Sequence, residues 1–250
     1  MRENLVVTIM AAGEGKRMNS TLPKVLVEFR GYPMLIRILL EVYKLEPERI
    51  IIVTGKYHNL IIETMQKYIT SPQKKDILYF VQQEIPQGTG DAIKNTLNYF
   101  EDNSKVLILN GDMPLISAEL LLKFINERHE GGHIPKLMVA ELDNPYGYGR
   151  ILYNDHGEFQ QIKEEKDACV EEKEVKIVNV GIYYFQGSTL KTFIPKIQNK
   201  NAQKEYYLTD IVSLIRPNPI YTYLVESDMT YQIHGINTQA ELRKLENFVK

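Results

Sequence analysis

Hydrophobic residues in the first half of the chain form short, near-continuous runs that alternate with longer stretches of helical periodicity. The runs predict buried strands at 5–10, 50–55, 77–82 and 105–112. Helical patterns lie between and after them at 33–45, 57–69, 89–100 and 117–129, with Ser117 as a predicted N-cap. Strands without hydrophobic–polar alternation are typical of a sheet covered on both faces. The pattern therefore predicts an α/β fold with a doubly wound, mainly parallel, Rossmann-like sheet.

The pattern changes after about residue 136, where strands follow one another with few helices between them. These strands are predicted at 136–142, 149–154, 159–164 and 176–185, and the NDHG segment at 154–157 has the composition of a hairpin turn. Helical patterns resume at 187–198, 208–215 and 238–249. We therefore expect a smaller mixed or antiparallel sheet to be added to the parallel one.

Composition narrows the classes of partner. The chain has 250 residues, of which 44% are hydrophobic and 25% charged, and its formal net charge of −2 gives no basic surface for nucleic acid. The single cysteine, Cys169, excludes an internal disulfide and a cysteine-rich metal cluster. The apolar segment MLIRILLEVY is interrupted by Arg37 and Glu41, so it predicts an amphipathic helix and not a membrane span. We expect a soluble, cytoplasmic protein with no membrane or nucleic-acid partner.

A glycine loop follows the first predicted strand, in the segment VVTIMAAGEGKRM at 6–18. Glycine allows close approach to the backbone, exposed N–H groups form a concave anion site, and Lys16 and Arg17 add positive charge. The dinucleotide fingerprint requires a third glycine where Met18 stands, and the spacing of a P-loop is absent. A phosphate site and a plain glycine turn with solvated charges both remain open from this loop alone.

Three further segments favour the phosphate site. LPKV at 22–25 adds Lys24, QGTGDAI at 87–93 is a second glycine turn that opens a helix, and NGDMPLI at 110–116 contains Asp112 after a buried strand. In a doubly wound sheet such loops meet at the carboxyl edge of the strands. Together they predict a nucleotide and metal site at that edge.

The order and spacing of these motifs resemble the sugar-nucleotide pyrophosphorylases. The motifs are MAAGEGKRM, LPKV, QGTGDA, NGDMPLI, NPYGYGRI, IKEEKDA, NVGIY, EYYLTDI and HGIN. The chain is most similar to the N-acetylglucosamine-1-phosphate uridylyltransferase half of the bifunctional GlmU enzymes. The resemblance implies a nucleotide-diphospho-sugar transferase fold of the GT-A-like type. It implies one pyrophosphorylase domain over 1–250, with a nucleotide-binding half at 1–135, a sugar-binding half at 136–235 and a C-terminal helix at 236–250.

The reaction implied by the resemblance is a magnesium-dependent nucleotidyl transfer. UTP and N-acetyl-α-D-glucosamine 1-phosphate would give UDP-N-acetylglucosamine and pyrophosphate, through attack of the sugar phosphate on the α-phosphorus. Another hexose 1-phosphate, of glucose or N-acetylgalactosamine, and a non-catalytic regulatory subunit are the alternatives. No hexapeptide periodicity is present, so we expect no acetyltransferase β-helix domain. Without that trimerising domain, we expect a monomer or a weak homo-oligomer.

The resemblance also assigns roles to individual residues. Arg17, Lys24 and Asp112 would be catalytic, and Asp112 with Asn237 would hold Mg²⁺. The nucleotide would contact Met10, Ala11, Ala12, Gly13, Gln83, Gly88, Thr89 and Gly111. The sugar would contact Gly149, Glu164, Asn179, Tyr207 and Thr209.

Structural readings of several of these residues stay open at this point. Lys24 could be a solvated lysine, Asn237 could be a helix cap in competition with Thr238, and Glu164 could belong to a solvated charge run. Because a side-chain amide can flip, Gln83 alone would not exclude cytosine.

Overall fold

The protein folds around one nine-stranded sheet with apolar residues packed on both of its faces. The computed structural model describes residues 4–127 and 135–248, and only the backbone of Lys16. The strands are β1 (Leu5–Ala11), β2 (Glu28–Phe29), β3 (Tyr32–Pro33), β4 (Arg49–Thr54), β5 (Leu78–Gln82), β6 (Lys105–Asn110), β7 (Lys136–Glu141), β8 (Gly149–Tyr153), β9 (Phe159–Lys163), β10 (Ile177–Gln186) and β11 (Tyr221–Leu224). The helices are α1 (Met34–Tyr43), α2 (His58–Tyr68), α3 (Pro72–Asp76), α4 (Thr89–Lys94), α5 (Ala118–Asn126), α6 (Val170–Lys173), α7 (Gly187–Phe193), α8 (Asp210–Ile215) and α9 (Gln239–Phe248).

The predicted α/β class with a mainly parallel sheet is confirmed. The strand order is β11-β7-β10-β6-β1-β4-β5, and β1, β4, β5 and β6 are parallel to one another. Strand β10 runs antiparallel to both β6 and β7, and the β8–β9 hairpin is attached to β10. The antiparallel part expected in the second half is therefore hydrogen-bonded into the main sheet. Strands β2 and β3 form a separate two-stranded sheet.

Strand β10 joins the two halves because it lies between β6 and β7 in the sheet. One of its edges pairs with β7, at Ile177–Asn179 and again at Tyr183–Tyr184. Its other edge pairs with β6 at Tyr183–Gln186 and with β8 at Val178–Asn179. The register on β7 shifts between Asn179 and Tyr183, and Gly181 within that interval has φ +80°. Such an irregularity bends a strand while it keeps the same partner. As a result, a single sheet carries the loops of both halves.

Several predicted elements are shorter than expected. The helix predicted at 89–100 ends at Lys94 and is followed by a 3₁₀ turn at Leu97–Tyr99. The helix predicted at 187–198 ends at Phe193 and continues as a 3₁₀ turn. The strand predicted at 105–112 ends at Asn110, so Asp112 lies in the loop beyond it. Residues 128–129 and 249, included in predicted helices, lie outside the described residues.

Two apolar clusters cover the sheet because side chains alternate along each strand. In β1, Val7 and Ile9 belong to one cluster and Val6 to the other, and all three are buried. Ile51 and Ile52 of β4 divide in the same way. With both faces packed, polar chemistry is left to the loops at the ends of the strands. Within the described residues, no helix has the length and apolar character to cross a bilayer.

The predicted N-cap of α5 gives a test of the fold. The Ser117 hydroxyl accepts a hydrogen bond from the Leu120 backbone N–H at 3.2 Å. We expect Ser117→Ala to lower the free energy of unfolding by about 1 kcal/mol, because that N–H loses its acceptor. Urea unfolding measures the change. Ser213→Ala, at an exposed serine inside α8, is the matched control and should cost nothing. Equal losses in the two variants would contradict the assigned cap.

Candidate functional site

A cleft of about 980 Å³ opens where β1 and β6 end and is bounded on its other sides by β8, β10 and α9. Its lining combines residues that the sequence assigns to three different roles. Those that line it directly are Met10, Arg17, Thr89, Asp112, Gly149, Glu164, Asn179, Thr209 and Asn237. The cleft therefore unites segments from both ends of the chain, as the edge-of-sheet prediction required.

The side chains of Arg17, Asp112 and Asn237, which line this cleft, meet that of Lys24, which is not among the lining residues. Lys24 Nζ lies 2.5 Å from Asp112 Oδ2 and 2.9 Å from Asn237 Oδ1. Arg17 Nη2 lies 3.1 Å from the same Asn237 oxygen. The side chains of Lys24 and Asp112 are only 15% and 17% exposed, so this lysine is not a solvated surface residue. Two cationic side chains and two side-chain oxygens, from segments far apart in the sequence, are therefore in contact.

Glycines allow the segments to approach so closely. Gly15 has φ +67°, and a Cβ there would lie 2.4 Å from Lys24 Cβ. The Gly111 N–H donates to Met10 O at 2.9 Å, and a Cβ on Gly111 would lie 2.9 Å from that oxygen. At Gly13, by contrast, an added Cβ would meet open space. The first two glycines are required by the packing of the protein itself, whereas Gly13 faces the solvent.

Asn237 is not the cap of α9. Thr238 takes that role: its Oγ1 accepts from the Glu241 N–H at 3.2 Å, and Glu241 Oε2 accepts from the Thr238 N–H at 3.1 Å. This reciprocal pair is a capping box. The Asn237 side chain is left to face Arg17 and Lys24.

The two oxygens beside Lys24 fit a hard divalent cation. Asp112 Oδ2 and Asn237 Oδ1 bind the same ammonium group, so they face a common point. A carboxylate and an amide carbonyl are ligands that Mg²⁺ accepts, and this ion uses few protein ligands because it retains waters and phosphate oxygens. The described residues contain no group of three or more His, Cys, Asp or Glu placed to hold a metal. The donor set therefore suits an ion that is shared with a phosphorylated ligand.

At one end of the cleft, the loop before α4 is fixed by backbone pairing. Gly88 has φ +114°, and a Cβ there would lie 2.5 Å from Tyr206 O. The Thr89 hydroxyl accepts from the Leu208 N–H at 2.9 Å. Gln83, only 3% exposed, lies beneath this loop and donates from Nε2 to Asp91 Oδ2 at 2.6 Å. Ala11 is buried at the end of β1 and Ala12 is half-buried beyond it. Of the eight residues that the sequence assigns to the nucleotide, Met10 and Thr89 line the cavity, whereas the other six do not: Ala11, Ala12, Gly13, Gln83, Gly88 and Gly111.

At the other end, Glu164 lies directly over Gly149. A Cβ on Gly149 would be 3.5 Å from Glu164 Oε2, and Glu164 Oε1 accepts from the Thr209 hydroxyl at 2.8 Å. Asn179 donates from Nδ2 to the Tyr183 hydroxyl at 2.7 Å. The structure therefore brings four of the residues assigned to the sugar into the lining of one cleft: Gly149, Glu164, Asn179 and Thr209.

Tyr207 differs from its expected position. It is only 7% exposed and is not among the residues that line the cavity. Its hydroxyl is buried beside the carboxylate of Asp167. Burial, together with the carboxylates of Asp167 and Glu164, raises the pKa of Tyr207. Tyr207 is thus packed inside the protein, whereas Thr209, two residues later, lines the cleft.

Sequence reasoning missed a buried arginine that supports this wall. Arg150 is 1% exposed and donates from Nη2 to Glu165 Oε2 at 2.7 Å and from Nε to Lys173 O at 3.2 Å. Glu165 also accepts from the Gly147 N–H at 3.1 Å. The pair therefore fixes the strand that carries Gly149 against the turn that carries Glu164. Nothing in the sequence distinguishes this arginine from an exposed one.

The neighbouring glutamates have opposite electrostatic surroundings. Burial raises the pKa of Glu164, the hydrogen bond from Thr209 lowers it, and the charges of Asp210 and Asp167 raise it further. At Glu165 burial also acts to raise the pKa, but the hydrogen bonds from Arg150 and Gly147 and the charge of Arg150 outweigh it, and the pKa is lowered. The surroundings of Glu164 thus disfavour its ionised form, whereas those of Glu165 favour its ionised form.

Comparison with known proteins places this geometry in a family. The profile of the MobA-like NTP transferase domain matches residues 7–168. A protein of Acanthamoeba polyphaga mimivirus named "Probable UDP-N-acetylglucosamine pyrophosphorylase" is 38% identical over 250 residues, which cover 98% of this chain and 96% of that protein. The "Bifunctional protein GlmU" of Francisella philomiragia is 37% identical over 244 residues. The match covers 97% of this chain and 51% of the bifunctional protein, so the chain spans about half the length of that relative.

Solved structures show the same fold at lower identity. HddC from Yersinia pseudotuberculosis, crystallised in complex with GMP-PN, has a TM-score of 0.68 and 20% sequence identity. The alignment covers 98% of this chain and 99% of that one.

The opposite surroundings of the two glutamates give a test by mutation. A raised pKa means that the folded state holds the Glu164 proton more tightly than the unfolded state, so stability is lost as the pH rises from the ordinary glutamate value through the raised one. We expect Glu164→Gln to raise the melting temperature at pH 7, with the gain disappearing below about pH 4. Thermal unfolding of the wild type and the variant at several pH values measures this difference in melting temperature.

Glu165→Gln is the matched control with the opposite sign. Its lowered pKa means that ionisation stabilises the fold, so the substitution should lower the melting temperature at pH 7. Shifts of the same sign in both variants would show that the described environments are wrong.

Proposed function

Because this chain belongs to the MobA-like NTP transferase family and is therefore a nucleotidyltransferase, we propose that it transfers the uridylyl group of UTP to N-acetylglucosamine 1-phosphate, releasing pyrophosphate. The observation that carries the proposal is the contact of Lys24 with Asp112 and Asn237, and of Arg17 with Asn237, beside one cleft. The name of the mimivirus relative, a probable UDP-N-acetylglucosamine pyrophosphorylase, supports the choice of nucleotide and sugar.

The difficulty of this reaction is electrostatic. The sugar phosphate is already an anion at neutral pH, so it needs no general base, but it must approach the negatively charged triphosphate. Lys24, a compact point charge only 15% exposed, neutralises the phosphates as they approach. Arg17, with its planar fork of donors, holds the outer phosphates and stabilises the charge that develops on pyrophosphate. Positioning and charge neutralisation account for the catalysis.

The carboxylate of Asp112 and the amide oxygen of Asn237 would hold Mg²⁺. When bound, the ion would supply further positive charge to the phosphate oxygens. The capping box of Thr238 and Glu241 fixes Asn237 at the start of α9. The Ile236 N–H donates to Asp112 O at 2.9 Å, which ties this segment to the loop after β6. Both ligands are therefore positioned before substrate binds.

The two ends of the cleft serve the two halves of the product. The backbone of Met10, Ala11, Ala12, Gly13 and Gly111, with Gln83, Gly88 and Thr89, would contact the uridine. Gly149, Glu164, Asn179 and Thr209 would contact the sugar hydroxyls and the acetamido group, with Tyr207 packing behind them. This assignment divides a single domain into a nucleotide half at 1–135, a sugar half at 136–235 and a C-terminal segment from 236 that contains α9.

Substitution of Asp112 tests the mechanism. We expect Asp112→Asn to reduce pyrophosphate release from UTP, N-acetylglucosamine 1-phosphate and Mg²⁺ by at least about a hundredfold, because a charged ligand is lost at the reacting phosphates. Unchanged circular dichroism would show that the variant is folded. Asp155→Asn makes the same change of charge at an exposed turn and should retain full activity. A near-normal rate in the Asp112 variant would remove this residue from the mechanism.

Comparison of sugar phosphates tests the proposed substrate. At equal concentrations, N-acetylglucosamine 1-phosphate should give a higher kcat/KM than the 1-phosphates of glucose and N-acetylgalactosamine. Rates of UDP-sugar formation, measured by chromatography, provide the comparison. A preference for glucose 1-phosphate would contradict an acetamido pocket beside Thr209.

A further inference from the structure

The side-chain amide of Gln83 is bound by two groups that can only accept hydrogen bonds. Its Nε2 lies 2.6 Å from Asp91 Oδ2 and 3.3 Å from Gly88 O. An ionised carboxylate and a backbone carbonyl have no hydrogen to donate. Reversal of the amide would bring Gln83 Oε1 against both of these oxygens. The amide therefore has a single orientation, with its nitrogen towards Asp91.

Asp91 is itself held in place. It lies in the first turn of α4, where a carboxylate is favoured by the helix dipole. Asn95 donates from Nδ2 to Asp91 O at 2.8 Å and approaches Asp91 Oδ2 at 3.5 Å. The start of the helix is fixed because the Gly90 N–H donates to Tyr206 O at 2.7 Å. The carboxylate thus presents a fixed acceptor to Gln83.

Gln83 has equally little freedom. Its backbone N–H donates to Thr54 O at 2.7 Å, and the residue is only 3% exposed. Its Oε1 accepts no hydrogen bond from the described residues. This oxygen is not fully buried, so it remains accessible to a bound molecule. With the nitrogen satisfied, the side chain offers a bound molecule an acceptor and no donor.

A fixed acceptor distinguishes the two common pyrimidines. The pairing edge of uracil has one donor, N3–H, between two carbonyl acceptors. Cytosine has an acceptor at N3 and carries its donor on N4. An oxygen positioned for the uracil N3–H therefore faces a lone pair when cytosine occupies the same place. A freely flipping amide could offer its nitrogen to cytosine instead and would not discriminate.

We propose that Asp91 is a positioning residue that makes the chain select uracil over cytosine, by fixing the Gln83 amide with its oxygen towards the base. The inference rests on the proposed function, in which Gln83 contacts the base of UTP. It adds a residue whose role is to orient another side chain.

Nucleotide binding tests this inference independently of turnover. The dissociation constants of UTP and CTP, measured by titration calorimetry with Mg²⁺, give the preference of each variant. The Asp91→Asn side chain can donate to Gln83 Oε1 as well as accept from Gln83 Nε2, so the Gln83 amide can adopt either orientation in this variant. We expect the preference for UTP over CTP to fall about tenfold or more, the equivalent of one hydrogen bond. Asp91→Leu, which removes the acceptor without adding a donor, should act in the same direction.

Glu84→Gln is the matched control, since it makes the same change of charge at an exposed residue next to Gln83. It should leave the preference unchanged. An unchanged UTP preference in both Asp91 variants, or equal weakening of UTP and CTP binding, would overturn the proposal. Absence of pyrophosphate release by a wild-type chain that prefers UTP would count against the proposed reaction alone.

Discussion

Two cationic side chains and two side-chain oxygens are held in contact beside the cleft, and the rest of the structure supports that arrangement. Lys24 and Arg17 would be attracted to Asp112 and Asn237 in any conformation, but in water such attractions contribute little. They become strong and directional because the Lys24–Asp112 pair is largely withdrawn from solvent and the backbones approach without intervening side chains. The sheet supplies that enclosure, since its parallel strands deliver the loops to one edge.

The end of the cleft that we propose binds the sugar shows how burial gives neighbouring residues different chemistry. Glu164 and Glu165 are adjacent and identical in type, yet one faces Thr209 in the cleft and the other faces the buried guanidinium of Arg150. The pKa of the first is raised and that of the second is lowered. A carboxylate kept in an unfavourable environment is a recurring feature of functional sites, because stability is sacrificed for binding. The stabilised neighbour holds the supporting strand in place.

The end of the cleft that we propose binds the base depends on hydrogen bonding rather than charge. Gln83 alone could present either a donor or an acceptor, and the choice is made by Asp91, eight residues further along the chain. Specificity of this kind arises because an unmatched polar group in a confined site costs more than a matched one contributes. The same principle explains why the loop at Gly88 is held by backbone pairing to Tyr206, since a loose loop could not confine the base.

The sequence by itself determined the fold class, the central strands and the segments that carry charge, because apolar periodicity and glycine placement are local properties. The resemblance of its motifs to those of a known family also brought Lys24, Asp112 and Asn237 into one hypothesis. Only the tertiary structure decided that β10 joins both halves into one sheet, that Thr238 rather than Asn237 caps α9, and that Tyr207 lies behind the cleft wall. The burial of Arg150 and the orientation of Gln83 were likewise decided there. These features depend on contacts between residues far apart in the chain or on the direction of a single hydrogen bond, and neither leaves a periodic trace in the sequence.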